Sequence, residues 1–186
     1  DVTEENSTEE SGVTVVAVKL GNYAQKGIIK ISKTGEVFAS VTATDGVYQP
    51  VYTVQGLVGA TYEIKAAADI YTPDGTLRCS AGEVADTVTT GADGMAESKP
   101  LYLGKYEITE MKAPDGMVIN KDAHTAELVY AGQEIEITET AASFCNDRQK
   151  VRISLSKVLE QNKQFGIGMN NELSAVTFGF YAAEEL

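Results

Sequence analysis

From residue 13 onward, apolar and polar residues alternate in short runs separated by Gly, Asp and Pro, the pattern of strands that bury one face. The runs predict strands over 14–20, 27–33, 50–54, 61–66, 105–110, 126–130, 134–138, 142–146, 151–157 and 176–181. Asp45-Gly46, Asp74-Gly75, Asp93-Gly94 and Asp115-Gly116 mark turns between them. No stretch sustains a 3.6-residue period over a helical length, so the chain reads as all-β, an antiparallel sandwich or a partly open barrel. Residues 1–12, rich in Glu, Ser and Thr, read as a flexible acidic linker. The segment 69–100 is long for a strand connection. It is either the place for a binding surface, or a decorative surface loop or an extra hairpin.

An internal repeat organises these strands. Asn22-Tyr-Ala-Gln-Lys-Gly-Ile-Ile-Lys-Ile-Ser-Lys33 aligns without gaps on Asn146-Asp-Arg-Gln-Lys-Val-Arg-Ile-Ser-Leu-Ser-Lys157. Tyr62-Glu-Ile-Lys-Ala-Ala-Ala-Asp-Ile70 likewise matches Phe178-Gly-Phe-Tyr-Ala-Ala-Glu-Glu-Leu186. The expected organisation is a tandem array read out of register. Residues 1–26 supply the acidic linker and the last strand of a preceding repeat, 27–149 a complete domain, and 150–186 the first strands of a following, incomplete one. So short a terminal piece cannot close a core by itself.

Composition narrows the function. With 27 Asp and Glu against 15 Lys and Arg, the formal net charge is −12. That balance argues against nucleic acid, which needs clustered Lys and Arg, and against anionic membranes. No apolar run approaches the roughly 20 residues of a membrane span, so no membrane insertion is expected. The acidic, polar start is no signal peptide, so an exported form would have lost its targeting segment. One His and two Cys leave little room for metal or cysteine chemistry, and no metal site or cofactor is expected. Cys79 and Cys145 either form one disulfide or are two small buried hydrophobes. His124 reads as a solvated residue. Asp69, Asp74, Glu83 and Asp86 lack the ligand spacing of a calcium loop and read as a solvated acidic segment.

The candidate chemistry comes from alternation. Side chains two apart on a strand share a face. Ile29, Ile31 and Lys33 form one such set, Tyr106, Ile108 and Glu110 another, and Ala142, Phe144 and Asn146 a third. Each set is apolar and ends on one polar group: an amine, a carboxyl, a carboxamide. Either each polar residue marks a strand end and turns to solvent, or the three meet inside, where buried charges must satisfy one another or react. The repeat favours the second, because Asn22 and Lys157 recur at the same places in the neighbouring copies.

These residues also carry a family resemblance. Tyr106-Glu-Ile-Thr-Glu-Met-Lys-Ala-Pro-Asp-Gly116 resembles the Glu box of the collagen-adhesin B-type, SpaA-like domains, prealbumin-like (reverse immunoglobulin-like) modules of Gram-positive pilins and surface adhesins. Ile29-Lys-Ile-Ser-Lys33 resembles that family's first strand, Gly59-Ala-Thr-Tyr-Glu-Ile64 its second, and the strand ending at Asn146 its last. Met111 stands in place of the usual Thr and Met117 in place of the usual Tyr; neither touches the reacting groups.

The resemblance implies an antiparallel prealbumin-like β-sandwich and a spontaneous isopeptide bond between Lys33 and Asn146, promoted by Glu110. Desolvation favours a neutral, nucleophilic amine and a protonated acid. The acid would donate to the Asn146 carboxamide oxygen and shuttle protons as ammonia leaves. This is self-modification, not turnover, so the chain is not expected to be an enzyme. The expected role is a stalk or pilin-like repeat, secreted and held at the cell wall of a Gram-positive bacterium, its partners the adjoining repeats of the same polypeptide. The alternative is an adhesin domain that binds a host or matrix ligand through 69–100.

Overall fold

The computed structural model describes residues 7–16, 21–169 and 171–181. The chain divides into two compact units, Asp1–Gln149 and Lys150–Leu186.

The first unit begins with a hairpin of β1 (Ser7–Glu10) and β2 (Val13–Val16), turned by Ser11 and Gly12 at positive φ. Part of the predicted acidic linker is therefore a strand, because the tight turn at Ser11 and Gly12 lays Ser7–Glu10 against Val13–Val16. Residues 1–6 of that linker and 17–20 of the predicted strand 14–20 lie outside the described residues.

Two sheets follow. One is built around β3 (Lys26–Thr44), which takes β13 (Ile137–Asn146) along one edge. Along the other edge it takes β10 (Leu101–Tyr102), β9 (Met95–Glu97) and β4 (Val47–Gly56) in succession. The second sheet has the order β12 (His124–Leu128), β11 (Gly104–Lys112), β5 (Thr61–Ala66), β8 (Val84–Thr89). A small hairpin, β6 (Ile70–Tyr71) with β7 (Leu77–Cys79), stands beside them. All pairs are antiparallel except β3 with β13, the first and last strands of the sandwich, which run side by side in the same direction. Between the sheets lie Ile29, Ile31, Tyr62, Ile64, Tyr106 and Ile108, each at most 1 % exposed. An aliphatic side chain buried so completely contributes about 1.5–3 kcal/mol.

Three sequence expectations need correction. The strand predicted over 27–33 continues to Thr44, because Gly35 is a point of close approach and not a break. A Cβ there would come within 2.6 Å of Leu57 Cδ1 and 3.3 Å of the Asn146 carbonyl oxygen. Beyond Gly35, β3 and β4 form a two-stranded ribbon closed by a tight turn at Asp45 (φ 52°) and Gly46 (φ 75°). The segment 69–100 is no peripheral loop, since β8 extends one sheet and β9 the other. The strand predicted over 134–138 is mostly turn, and only Ile137 and Thr138 enter β13. The Gln25 side chain secures that turn by donating to the carbonyls of Gly132 (3.1 Å) and Ile135 and accepting from Ala131 N–H (3.0 Å).

The second unit holds, among its described residues, a bridge between Asn162 and Ile167 and a 3₁₀ turn over Glu172–Ala175. The strands predicted over 151–157 and 176–181 do not form there. An alternating segment becomes a strand only where another strand takes up its backbone groups, and Val151, Ile153 and Leu155 remain 57–87 % exposed. Residues 182–186 of the second repeat copy lie outside the described residues.

Candidate functional site

Alternation turns Lys33 on β3, Glu110 on β11 and Asn146 on β13 into the space between the sheets. Their exposures are 1, 2 and 3 %, so none of the three turns to solvent. In the parallel register Lys33 lies opposite Phe144 and Asn146 opposite Gly35. The Lys33 side chain reaches forward along its own face to Asn146.

The three functional groups make one contact network. Lys33 Nζ donates to Asn146 Oδ1 and lies 3.2 Å from Glu110 Oε1. Asn146 Nδ2 donates to Glu110 Oε1 (2.9 Å) and Oε2 (3.0 Å). Glu110 Oε1 thus touches both the amine and the amide nitrogen. This differs from the sequence expectation, in which Glu110 faces the carboxamide oxygen. Here the amine takes that oxygen, because it has only donors to offer, and the carboxylate takes the –NH₂. Burial pushes the Lys33 amine below its ordinary pKa of 10.5, and the hydrogen bond and charge of Glu110 oppose that shift.

Two further groups hold Glu110. Tyr62, its cross-strand partner on β5, donates its hydroxyl to Oε1 (3.4 Å), and the Asn120 backbone N–H donates to Oε2 (2.8 Å). Burial, with the charge of Glu110 second, raises the Tyr62 phenol above its ordinary value, keeping it a donor. Tyr62 was legible as an inward residue of 61–66, and its hydroxyl is the polar signal on that face. Asn120 acts through its backbone and left no signal. It reaches the site because the chain after Gly116 folds back, held by Val118 N–H to the Asp147 carbonyl and Gln149 N–H to the Gly116 carbonyl, both 2.9 Å.

The other candidate residues lie elsewhere. Asn22 is exposed, as is Lys157 in the second unit. Cys79 and Cys145 are free thiols, Cys79 buried and Cys145 exposed. His124 is partly buried and packs edge-on against Phe144, with ring centroids 4.4 Å apart, so it is a packing residue and not a solvated one. The acidic residues of 69–100 order their own loops. Asp69 accepts from Ala81 N–H, Glu83 from Ser80 N–H and Asp86 from Lys99 N–H, each at 2.8 Å. Asp74 accepts from Thr72 Oγ1 (2.6 Å) and Thr76 N–H (3.1 Å), which hold its carboxyl down at about 2. No group of three or more His, Cys, Asp or Glu able to hold a metal occurs among the described residues. At the end of the sandwich where β3 begins, a groove of about 1080 Å³ opens between Tyr71, Pro73, Tyr102 and Tyr130.

A family model described as the SpaA prealbumin-like fold domain matches residues 51–142, a span that contains Glu110 and stops short of Lys33 and Asn146. No curated protein matches the chain. Solved structures similar to it include the TIE protein of Bacillus anthracis (20 % identity, TM-score 0.40), the minor pilin of Streptococcus agalactiae (15 %, 0.44) and the major pilin SpaD of Corynebacterium diphtheriae (21 %, 0.42). The matches cover 67, 72 and 67 % of this chain but only 17, 49 and 30 % of those structures. Over residues 51–142 the chain is a SpaA-like domain of prealbumin-like fold.

Proposed function

We propose that this chain is a structural stalk or pilin-like repeat of a Gram-positive cell-surface protein, stabilised by an isopeptide bond that Lys33 and Asn146 form spontaneously. The observation that carries this reading is the buried contact of Lys33 Nζ with both the Asn146 carboxamide and Glu110 Oε1. In the reaction, Glu110 takes a proton from the Lys33 ammonium and leaves a neutral amine. Nζ attacks Asn146 Cγ, the Nζ–Cγ bond forms, and the Cγ–Nδ2 bond breaks. Glu110 Oε1, 3.2 Å from Nζ and 2.9 Å from Nδ2, relays the proton that the departing ammonia needs. Nζ sheds a second proton, ammonia departs as ammonium, and Glu110 returns to its starting state. The group is reset, but the substrate is the protein itself, so no turnover follows.

The bond would close a loop spanning 113 residues between the first and last strands of the sandwich. The gapless repeat of residues 22–33 on 146–157 supports placing this domain, 27–149, in a tandem array, with the adjoining repeats as its partners. Intact mass tests the reading. The purified chain should weigh one ammonia less than its sequence, and a tryptic digest should contain a branched peptide joining the Lys33 and Asn146 segments. Full mass in the folded protein overturns the cross-link.

The second reading, an adhesin domain, is favoured by the tyrosine-lined groove, to which 69–100 contributes Tyr71, Thr72, Pro73 and Pro100. Binding to a host glycan or matrix array that is lost on Tyr71→Ala, with the mass deficit intact, would support it.

A further inference from the structure

The ribbon formed by β3 and β4 beyond Gly35 has two unlike faces. Its register pairs Glu36 with Val54, Phe38 with Tyr52, Val41 with Pro50, and Ala43 with Tyr48. Cross-strand partners share a face, and the extra residue at Ala39 brings Phe38 and Val41 into phase. Apart from Glu36, that face is apolar, whereas the other is mixed, with Ser40, Thr42, Gln49 and Thr53 beside Val37 and Val51. Much of the apolar face is open to water, with Val41 44 %, Val54 67 % and Tyr48 74 % exposed, while Arg148 stacks on Tyr52 at 3.7 Å.

Its two edges also differ. Pro50 has no N–H, so it fits the ladder only where its nitrogen points away from β3. The outer edge of β4 therefore lacks a donor at its centre, which blunts it against further pairing. By the same alternation Val41 and Ala43, in register with Pro50 and Tyr48, turn their backbone N–H and C=O groups to the outer edge of β3. That edge carries no such device. Residues 37–43, Val-Phe-Ala-Ser-Val-Thr-Ala, contain no charge, Pro or Gly. Strand β13 covers the edge only as far as Gly35, and among the described residues no strand pairs with it beyond that point.

We propose that the open edge of β3 pairs, antiparallel, with the same segment of a second copy of this chain, giving a four-stranded β4–β3–β3–β4 ribbon. A self-complementary register selects the occupant. Two copies at a net charge of −12 repel over most of their surfaces, but 37–44 is neutral, so along this edge they can meet without opposed like charges. A two-fold axis between Ala39 and Ser40 sets Phe38 opposite the partner's Val41 and Glu36 opposite the partner's Ala43. The outward-facing backbone groups then meet one another, an aromatic side chain meets a β-branched one, and no carboxylate faces a carboxylate. Seven residues of strand span only about 23 Å, at about 3.3 Å each. The contact is therefore smaller than the roughly 800 Å² per partner of a stable complex, and the dimer is weak in free solution. It strengthens where copies are held side by side, because a tethered contact acts at high effective concentration.

Sedimentation of the full chain from about 10 μM to 1 mM tests this, a range that brackets weak association. The expected result is a reversible monomer–dimer equilibrium. Amide exchange should slow with concentration over 36–44 and not over 47–56. Ala43→Pro, which removes one outward donor and no β3–β4 bond, should weaken dimerisation at least ten-fold. Val41→Lys should do the same without touching the backbone, and near-UV circular dichroism reports that each variant keeps its fold. The proposal is overturned if the chain stays monomeric throughout, if association persists unchanged in either folded variant, or if the concentration-dependent protection falls on 47–56.

Discussion

Gly35 lies directly opposite Asn146 in the parallel pairing of β3 with β13, and Leu57 fills the space that a side chain at Gly35 would take. A Cβ at this position would press on Leu57 Cδ1 at 2.6 Å and crowd the Asn146 carbonyl at 3.3 Å. Gly35→Ala should therefore destabilise the fold by about 1–3 kcal/mol through overpacking. It should also slow the loss of ammonia, read as the fraction of freshly made protein at full mass over time. Equal rates for the variant and the parent would mean that the placement of Asn146 does not depend on this close approach.

Removing the nucleophile reopens the loop. Lys33→Ala should restore the full mass and lower stability by about 4–5 kcal/mol for the lost loop constraint, with a further loss for the vacated site. For a domain of this size such a change lowers Tm by roughly 10–20 °C. Glu110→Ala should restore the full mass while both reacting groups remain. Lys30→Ala is the control, because Lys30 is paired at the surface with Glu139 at 2.8 Å and should keep the deficit.

The pH response of the unreacted site has a definite sign. Asn146→Leu keeps Lys33 and Glu110 but cannot react. Burial places the folded pKa of Lys33 below 10.5, so between that lowered value and 10.5 the unfolded chain holds more protons than the folded one. Stability of Asn146→Leu should thus rise with pH across this window, relative to a Lys33→Met, Asn146→Leu double variant whose curve lacks the increment. Parallel curves in denaturant titrations at several pH values would show that Lys33 titrates as it does in water.

The second unit yields a separate expectation. Its exposed Val151, Ile153 and Leu155 lack the strand pairing that shields a backbone from proteases. Limited trypsin treatment should cut at Lys150, Arg152 or Lys157 before Lys30 or Lys33 within β3. Lys157 should map as an unmodified amine. A cross-linked Lys157 would place a second reacting set in this chain.

What the sequence disclosed depended on how locally each feature is encoded. Strand 61–66 and the inward faces ending at Lys33, Glu110 and Asn146 follow from period-two alternation, which needs only neighbouring residues. The continuation of β3 through Gly35 was hidden because glycine signals both a turn and a close contact, and only Leu57 and Asn146, distant in sequence, decide between them. Residues 151–157 alternate as cleanly as 27–33, but alternation records which side of a strand would be buried and not whether a neighbouring strand exists. The hydrogen bond from the Asn120 backbone to Glu110 left no trace, since any residue but proline supplies the same N–H.

The parallel course of β3 and β13 places their chain ends at opposite poles: Lys26 opens the first strand and Asn146 closes the last. Tension applied to a protein so arranged enters at Lys26 and leaves beyond Asn146. Once Lys33 is joined to Asn146, only residues 26–33 carry the load through the sandwich. The residues between the joined pair, which stand 113 positions apart, drop out of the path. Unravelled, they would add about 370–400 Å of contour length at roughly 3.3–3.6 Å per residue. A module wired in this way cannot lengthen by unfolding, so it transmits tension instead of dissipating it, and any give in an array of such modules must come from the segments between them.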